Sequence, residues 1–470
     1  MLSKEQIEQI VQMTIAQLNG QAGSSSCGAF AGNGWMFERA EDCIEAAAAA
    51  QKKLVAMTME QREKLITAMR QAARDNAEKL ARMAHEETGY GNVPDKIAKI
   101  MLVANKTPGT EDIVPRVFTG DKGMTLVEQA PFGVIGSITP STNPPGTVIN
   151  NSISMIAAGN AVVFNPHPSA TKCSQEAMRI LNEAIVAAGG PMGLICCPAK
   201  PNLDTSAVIM NHPKIKLLSV TGGEAVVGVA MKTGKKCIAA GPGNPPVIVD
   251  ETADIPKAGK DIVDGASFDN NVLCVAEKEC FCVNSVFDQL MAEMQKNGAW
   301  MVRGEDIEKI VRTVLINKDG KYVINRKFVG HDATYIMEAS GVSYSGKPRL
   351  VIADVPKDHP FVVTEMLMPV LGCVRCDCVD QAIDRAVEAE HGCWHSALMH
   401  STNYLSMTKA ARALNTTIFV KNAPSTAGVG FNGEGYATLT IATPTGEGLT
   451  SARSFTRARR CVLADGFRII

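Results

Sequence analysis

Apolar residues at Ile7, Ile10, Val11, Ile15 and Leu18 form one stripe of a helix over residues 3–18. Ser3 with Gln6 supplies the pattern of a capping box at its start. The next segment, GQAGSSSCGAFAGNG, holds five Gly and three Ser in fifteen residues and reads as a flexible tether. From Trp35 to about Thr88 the pattern is helical, with EDCIEAAAAAQKKLVAM rich in strong helix formers and Thr58 with Gln61 marking a second capped start. Residues 116–131 alternate as a β-hairpin with Gly120 and Gly123 near its turn. From Val134 short apolar runs (VIGSITP, AVVFN, GLICCP, IKLLSVTG) alternate with helical stretches, the last beginning at Gly223. This rhythm predicts a parallel sheet covered on both faces, with a ligand at the carboxyl ends of its strands. A second α/β region over 246–440 has strands at ECFCVN, RLVIAD, VLGCVRCD, SALMHS and TTIFVK and helices at VDQAIDRAVEAE and NYLSMTKAARALN. The tail SARSFTRARRCVLADGFRII supplies an edge strand.

Composition narrows this picture. The 470 residues allow about three domains. Hydrophobic residues at 46%, charged residues at 20% and a net charge of -1 describe a soluble chain with no polyanion-binding surface. No apolar run is long enough to span a bilayer, and the first residues are not a secretory signal, so neither membrane nor nucleic acid is an expected partner. The fourteen cysteines are scattered, which fits a reducing, intracellular setting. Cys373, Cys376, Cys378, Cys280 and Cys282 lie in strand-like runs without zinc-finger spacing, so they read as structural thiols and no metal site is expected.

The segment SVTGGEAVVG, a strand ending in two glycines before a helix, lets backbone approach a ligand phosphate. Taken alone it is a weak signal, and no GxGxxG fingerprint is present. Its weight comes from its neighbours. PFGVIGSITPSTNP, AAGNAVVFNPHPSA, SVTGGEAVVG, AAGPGNPPVIVDETADI, ASFDNNVLCVAEK, TEMLMPVLG and IFVKNAPS follow one another in this order. From Glu38 to about Val462 the chain resembles the aldehyde dehydrogenase superfamily. The resemblance implies an α/β fold of Rossmann-like NAD-binding domain, α/β catalytic domain and small β oligomerisation element. The expected division is 1–19 targeting helix, 20–34 linker, 35–115 with 132–245 for NAD and CoA, 246–440 catalytic, and 116–131 with 441–470 for oligomerisation.

The resemblance also implies roles. Cys274 matches the nucleophile, whose thiolate adds to the aldehyde carbon and ends as a thioester. Asn143 is the amide for the developing alkoxide, although strict alignment lands on Thr142. Thr139, Pro140, Asn165, His167, Gly222, Gly223, Val226 and Glu365 are expected against the cofactor, with Glu365 on the nicotinamide ribose. Thr142, Ile441 and Pro444 are expected near the acyl group.

Two departures from the family pattern carry the functional expectation. Hydrolytic members place a water-activating glutamate 34 residues before the cysteine, where this chain has Ala240. Without that base, water attack on the thioester slows by roughly 10²–10⁴-fold, and a thiol becomes the natural acceptor. Asn165 replaces a lysine that holds the adenosine ribose, which suits NAD followed by coenzyme A and argues against NADP. The pattern is similar to the CoA-acylating branch, which includes propionaldehyde and acetaldehyde dehydrogenases of bacterial microcompartments. Residues 1–19 resemble encapsulation peptides that dock on shell proteins, which would place the enzyme in a microcompartment lumen in the bacterial cytoplasm; a terminal helix packing on its own domain is the alternative. A homodimer or tetramer is expected by resemblance. A hydrolytic enzyme, an acyl-phosphate reductase and a non-catalytic shell-assembly scaffold are the competing readings.

Overall fold

Strands that read as unbroken apolar runs are buried along their whole length, as a sheet covered on both faces requires. Val134–Thr139, Ala161–Pro166 and Ile195–Pro198 are buried at every position. In this computed structural model, which describes residues 33–470, they belong to a six-stranded parallel sheet. Its order is Met36–Phe37, Ile195–Pro198, Ala161–Pro166, Val134–Thr139, Ile215–Thr221, Lys236–Ala240. The chain runs from Val134–Thr139 to one side and returns to Ile215–Thr221 on the other. That reversal opens a crevice at the carboxyl ends of these two strands.

A second sheet has seven parallel strands, ordered Ala299–Val302, Leu350–Asp354, Val370–Cys376, Glu279–Val283, Pro246–Val249, Ser396–His400, Ile418–Lys421. Separate hydrophobic clusters fill its two faces, and a third surrounds the first sheet. Lys236–Ala240, the last strand of the first sheet, leads through residues 241–245 into Pro246–Val249. The carboxyl end of one sheet therefore adjoins the amino end of the other.

The helices start where side chains supply the missing backbone partners. Thr58 caps Met59–Asp75 with a reciprocal capping box to Gln61, as the sequence predicts. Asn92 caps Val93–Lys106, accepting from the backbone of Asp95 at 3.0 Å. The hairpin forms as Arg116–Gly120 with Gly123–Pro131, and Thr456–Ala464 adds the third antiparallel strand.

Several short strands escape the sequence reading, namely Met36–Phe37, Lys236–Ala240, Pro246–Val249, Ala299–Val302 and the hairpin Leu315–Lys318 with Lys321–Ile324. At two to five residues each they show too little periodicity to distinguish them from loop, and sheet pairing alone defines them. Within residues 441–470, Ala442, Ala452 and Phe455 are buried in the core of the first sheet. Only Thr456–Ala464 pairs with the hairpin. The helix expected over residues 3–18 lies outside the described residues. Among the described residues no helix is long and apolar enough to cross a membrane. Cys280 and Cys373 lie side by side in parallel register, and with Cys282 and Cys376 they are fully buried in the second sheet, while Cys378 is exposed.

Gly123 takes φ +111°, and a Cβ there would collide with the backbone carbonyl of Leu463. Gly123→Ala is expected to cost about 1–3 kcal/mol and to loosen the end of the three-stranded sheet. A lowered Tm with faster amide exchange over 459–464 checks this; unchanged exchange there would refute it.

Candidate active site

Three consecutive residues, Asp269, Asn270 and Asn271, adopt left-handed backbone with φ of 46°, 53° and 64°. Asp and Asn tolerate this region better than other side chains because their short polar groups bond locally. Here each bonds outward as well. The Asn270 amide donates to Gly330 O at 2.9 Å and Asp332 Oδ1 at 2.8 Å. The Asn271 amide donates to Ala266 O at 2.8 Å and Glu277 O at 2.9 Å. Asp269 accepts from the Asn92 backbone at 2.9 Å and from the ammonium groups of Lys96 and Lys99. Its own backbone N–H donates to Asp95 Oδ2 at 2.7 Å. This braced turn delivers Cys274, half-buried, on a loop otherwise sunk in the core.

The surroundings of Cys274 come from loops that precede strands of the second sheet. Lys278 follows it, fully buried, donating to Asn271 O at 3.0 Å and Leu273 O at 3.1 Å. Glu277 accepts from the backbone and hydroxyl of Ser425 at 2.8 and 2.7 Å, tying this loop to the neighbouring segment. Burial, then the nearby charge of Glu365, pushes the Cys274 thiol up to about 12, against the opposing pull of Lys278 and Lys99. Burial also raises Glu365, opposed by Lys278 and by the backbone N–H of Gly243. Gly243 must be glycine, since a Cβ would sit 2.7 Å from the His395 ring. His395 is fully buried, its Nδ1 lies 2.7 Å from Ser396 Oγ, and its Nε2 has no partner. Burial pushes its pKa down to about 4, so the imidazole is neutral.

Asn143 stands ahead of the helix Pro144–Ala157, and its Oδ1 accepts from Lys99. Its Nδ2 makes only a 3.5 Å approach to Thr142 Oγ1 and remains available as a donor. Lys99 also sits in the field of Cys274, so Asn143 and the thiol share one neighbour.

The crevice of the first sheet lies beside this centre. Thr139 and Thr221 end adjacent strands, and their hydroxyls are buried without partners. Pro140 follows Thr139, half-buried. Gly222 is held close, because a Cβ would meet Val226 at 2.8 Å, and Gly223 is open and precedes Glu224–Met231 with no side-chain cap. Orphaned hydroxyls beside an uncapped helix start and a bare glycine backbone suit the phosphates and ribose of a dinucleotide. Asn165, in contrast, is engaged within the protein. Its amide reaches Asn202 O at 3.3 Å, and it accepts from Thr205 Oγ1 at 2.7 Å. His167 follows the strand of Asn165 at the surface, with Nδ1 2.8 Å from Ser169 Oγ, and partial desolvation of its ring, then the charge of Arg326, lowers its pKa. Ile441 is buried in the cluster on which Cys274 packs, while exposed Pro444 rests against Gly241. Ala240 closes its strand with a methyl group, and its carbonyl accepts from Gly222 N at 3.1 Å. The carboxyl group whose charge raises the thiol is instead that of Glu365, which the sequence reading assigned only to a ribose.

Lys96, Lys99, Lys278, Asp269 and His395 escaped the sequence reading. Lys96 and Lys99 stand three apart on an amphipathic helix, where lysines ordinarily face water, and no local pattern signals that both are buried. Asp269 lay in plain view in FDNNVLC, where the only clue was a run of residues suited to positive φ.

A partly buried cysteine that shares a buried lysine with an amide donor, beside a sheet crevice with free hydroxyls, fits an enzyme that holds its substrate covalently next to a nucleotide. The comparisons give that class a family. The aldehyde dehydrogenase family model matches residues 36–437, and the chain belongs to the aldehyde dehydrogenase family. It is 49% identical over 472 residues to the acetaldehyde dehydrogenase (acetylating) EutE of Salmonella typhimurium, covering 100% of both chains. A propionaldehyde dehydrogenase from the Clostridium phytofermentans fucose utilisation bacterial microcompartment superposes with TM-score 0.90 at 49% identity, covering 93% of this chain and 99% of that one. The Rhodopseudomonas palustris propionaldehyde dehydrogenase, solved with CoA bound and an acylated cysteine, gives TM-score 0.90 at 46% identity, covering 92% and 99%.

A thiol held up at about 12 is protonated at neutral pH, and only the thiolate alkylates. Without ligands, iodoacetamide labelling of Cys274 is expected to accelerate about tenfold per pH unit from pH 7 to 10. Peptide mapping distinguishes it from exposed Cys378 and Cys461. A plateau below pH 9 would contradict this environment.

Proposed function

We propose that the chain is a CoA-acylating aldehyde dehydrogenase, oxidising propionaldehyde or acetaldehyde with NAD and passing the acyl group to coenzyme A. The observation that carries the reading is Cys274 on its braced turn, tied through Asp269 and Lys99 to Asn143, with a methyl group at Ala240 where hydrolytic relatives would need a base. The similarity to acylating dehydrogenases along nearly the whole chain supports it.

Cys274 Sγ attacks the aldehyde carbon as its thiol proton passes to water in the open cleft, and this is the one proton released alongside NADH. The carbonyl oxygen becomes an alkoxide between Asn143 Nδ2 and the Cys274 backbone N–H, two donors already in place before charge develops. Thr139, Thr221, Gly222, Gly223, Val226 and Glu365 would hold the dinucleotide, and NAD bound there takes up hydride. The product on the protein is a thioester at Cys274. Transfer then forms a carbon–sulfur bond to the CoA thiol and breaks the one to Cys274. His395 Nε2, neutral and unpartnered, takes the CoA thiol proton, which returns to the departing Cys274 thiolate. Asn165 and His167 line the outer crevice, where the adenosine part of either nucleotide would lie. Ile441, Pro444 and Thr142 border the acyl chain.

Two further assignments belong to this reading. Residues 1–19 dock the enzyme on microcompartment shell proteins. The three-stranded sheet, which exposes Val117, Phe118, Val462 and Leu463, joins protomers into a dimer or tetramer.

With NAD and acetaldehyde alone, the enzyme is expected to release about one NADH per Cys274 and then stall; adding CoA restores turnover. His395→Ala is expected to keep the burst and to lose about 10²–10⁴-fold in CoA-dependent kcat. Sustained NADH formation without CoA would instead identify the enzyme as hydrolytic.

Removing residues 1–19 is expected to leave kcat and Tm unchanged and to abolish co-purification with shells. A truncated enzyme that unfolds would show that this segment packs on its own domain.

A further inference from the structure

The amide assigned above to the alkoxide is not held by its own loop. Asn143 begins a helix without capping it, and its Oδ1 accepts from Lys99, three residues after Lys96 on the helix Val93–Lys106. An ammonium group donates and never accepts, so Oδ1 must face Lys99 and Nδ2 must face away. Lys99 is in turn paired with Asp269, which stands five residues before Cys274 in the left-handed turn. Both lysines are under 5% exposed and Asp269 is fully buried, so water does not compete for these bonds.

We propose that Lys99 is a positioning residue for the acyl-forming step, fixing the donor end of Asn143 and locking that amide to the turn that carries Cys274. The proposal rests on the reading of Asn143 as the oxyanion donor. One buried cation thereby joins three elements, the helix Val93–Lys106, the start of Pro144–Ala157 and the nucleophile turn. The amide and the sulfur cannot drift apart unless an ion pair in a dry interior breaks. The second lysine on Asp269, Lys96 at 3.1 Å, holds the carboxylate from the other side, so its position does not depend on Lys99 alone. The ammonium charge also reaches the reacting sulfur, where it favours negative charge. Glu365, which disfavours it, and Lys278, which favours it, are the other charged groups acting on that sulfur.

The test is a double-mutant cycle in the full-length enzyme with NAD, CoA and acetaldehyde. Lys99→Met and Asn143→Ala are each expected to lower kcat about 10²-fold, with the aldehyde KM within about threefold. The double variant is expected to be no slower than the worse single one, because an unaligned amide has little left to lose. Iodoacetamide labelling of Cys274 in Lys99→Met should move to higher pH, as loss of a cation disfavours the thiolate. Losses that multiply in the double variant, or full kcat in Lys99→Met, overturn the proposal while leaving the oxyanion reading intact. Full kcat in Asn143→Ala sinks the oxyanion reading itself and the positioning role with it. Should Lys99→Met fail to fold, Lys99→Gln replaces it in the cycle, with the same non-additivity expected and the same multiplicative result excluding the role.

Discussion

A single buried carboxylate, Asp269, holds the proposed catalytic geometry together. It accepts from two buried lysines and one backbone amide while its own backbone adopts positive φ. Two ammonium groups against one carboxylate leave excess positive charge in the interior, a costly arrangement. Burial and the charge of Lys99 push Lys96 down to about 8, against the pull of Asp269, which eases that cost. Removing one partner from such a cluster typically costs about 3–5 kcal/mol, since the rest is left unpaired and dry. Apolar residues of equal volume would stabilise the fold at least as well. The charged cluster therefore makes better sense as a device for placing Asn143 and Cys274 than as one for stability.

Around the sulfur, charge is arranged in opposition. Glu365 disfavours the thiolate, and Lys278 and Lys99 favour it, while burial outweighs both lysines in the ligand-free protein. The nucleophile is thus quiet until something changes its surroundings. This accords with a site that admits two large ligands in turn, because a permanently ionised cysteine would be open to oxidation and alkylation whenever the cleft stood empty. Lys278 also influences His395, so the groups proposed to attack and to accept a proton share one buried cation.

Much of this organisation was legible in the sequence, and the reasons divide cleanly. Long elements with a strong period, such as Thr171–Ala187 or the hairpin from Arg116, report their fold locally. Cys274, Asn143, Gly222 and Glu365 were proposed from ordered motifs, not periodicity. What stayed hidden depends on tertiary partners. Lys99 looks like any solvent-facing helix lysine until Asp269, 170 positions later, is folded against it. His395 lies in WHSALMH, where burial alone makes it neutral and leaves Nε2 unpartnered. Asn165 shows the converse, since its replacement of a lysine was visible, whereas its engagement by Thr205 and Asn202 was not.

The choice between water and a thiol as acyl acceptor turns on where basic groups sit relative to the sulfur. A base that serves water must hold a small nucleophile close to the thioester carbon. The strand ending at Ala240 carries a methyl group in place of a carboxylate and spends its last carbonyl on Gly222. Glu365 is near enough to raise the thiol, and burial raises its own pKa, yet the Gly243 N–H opposes that rise and ties the carboxylate to the cleft wall. His395 stands behind that same wall with a free nitrogen. A large acceptor that brings its own nucleophilic sulfur needs only a proton acceptor at the end of its path, whereas water would need positioning as well. The cleft supplies the first requirement more fully than the second, and the same asymmetry explains how a cysteine dehydrogenase retains its acyl group long enough to pass it on.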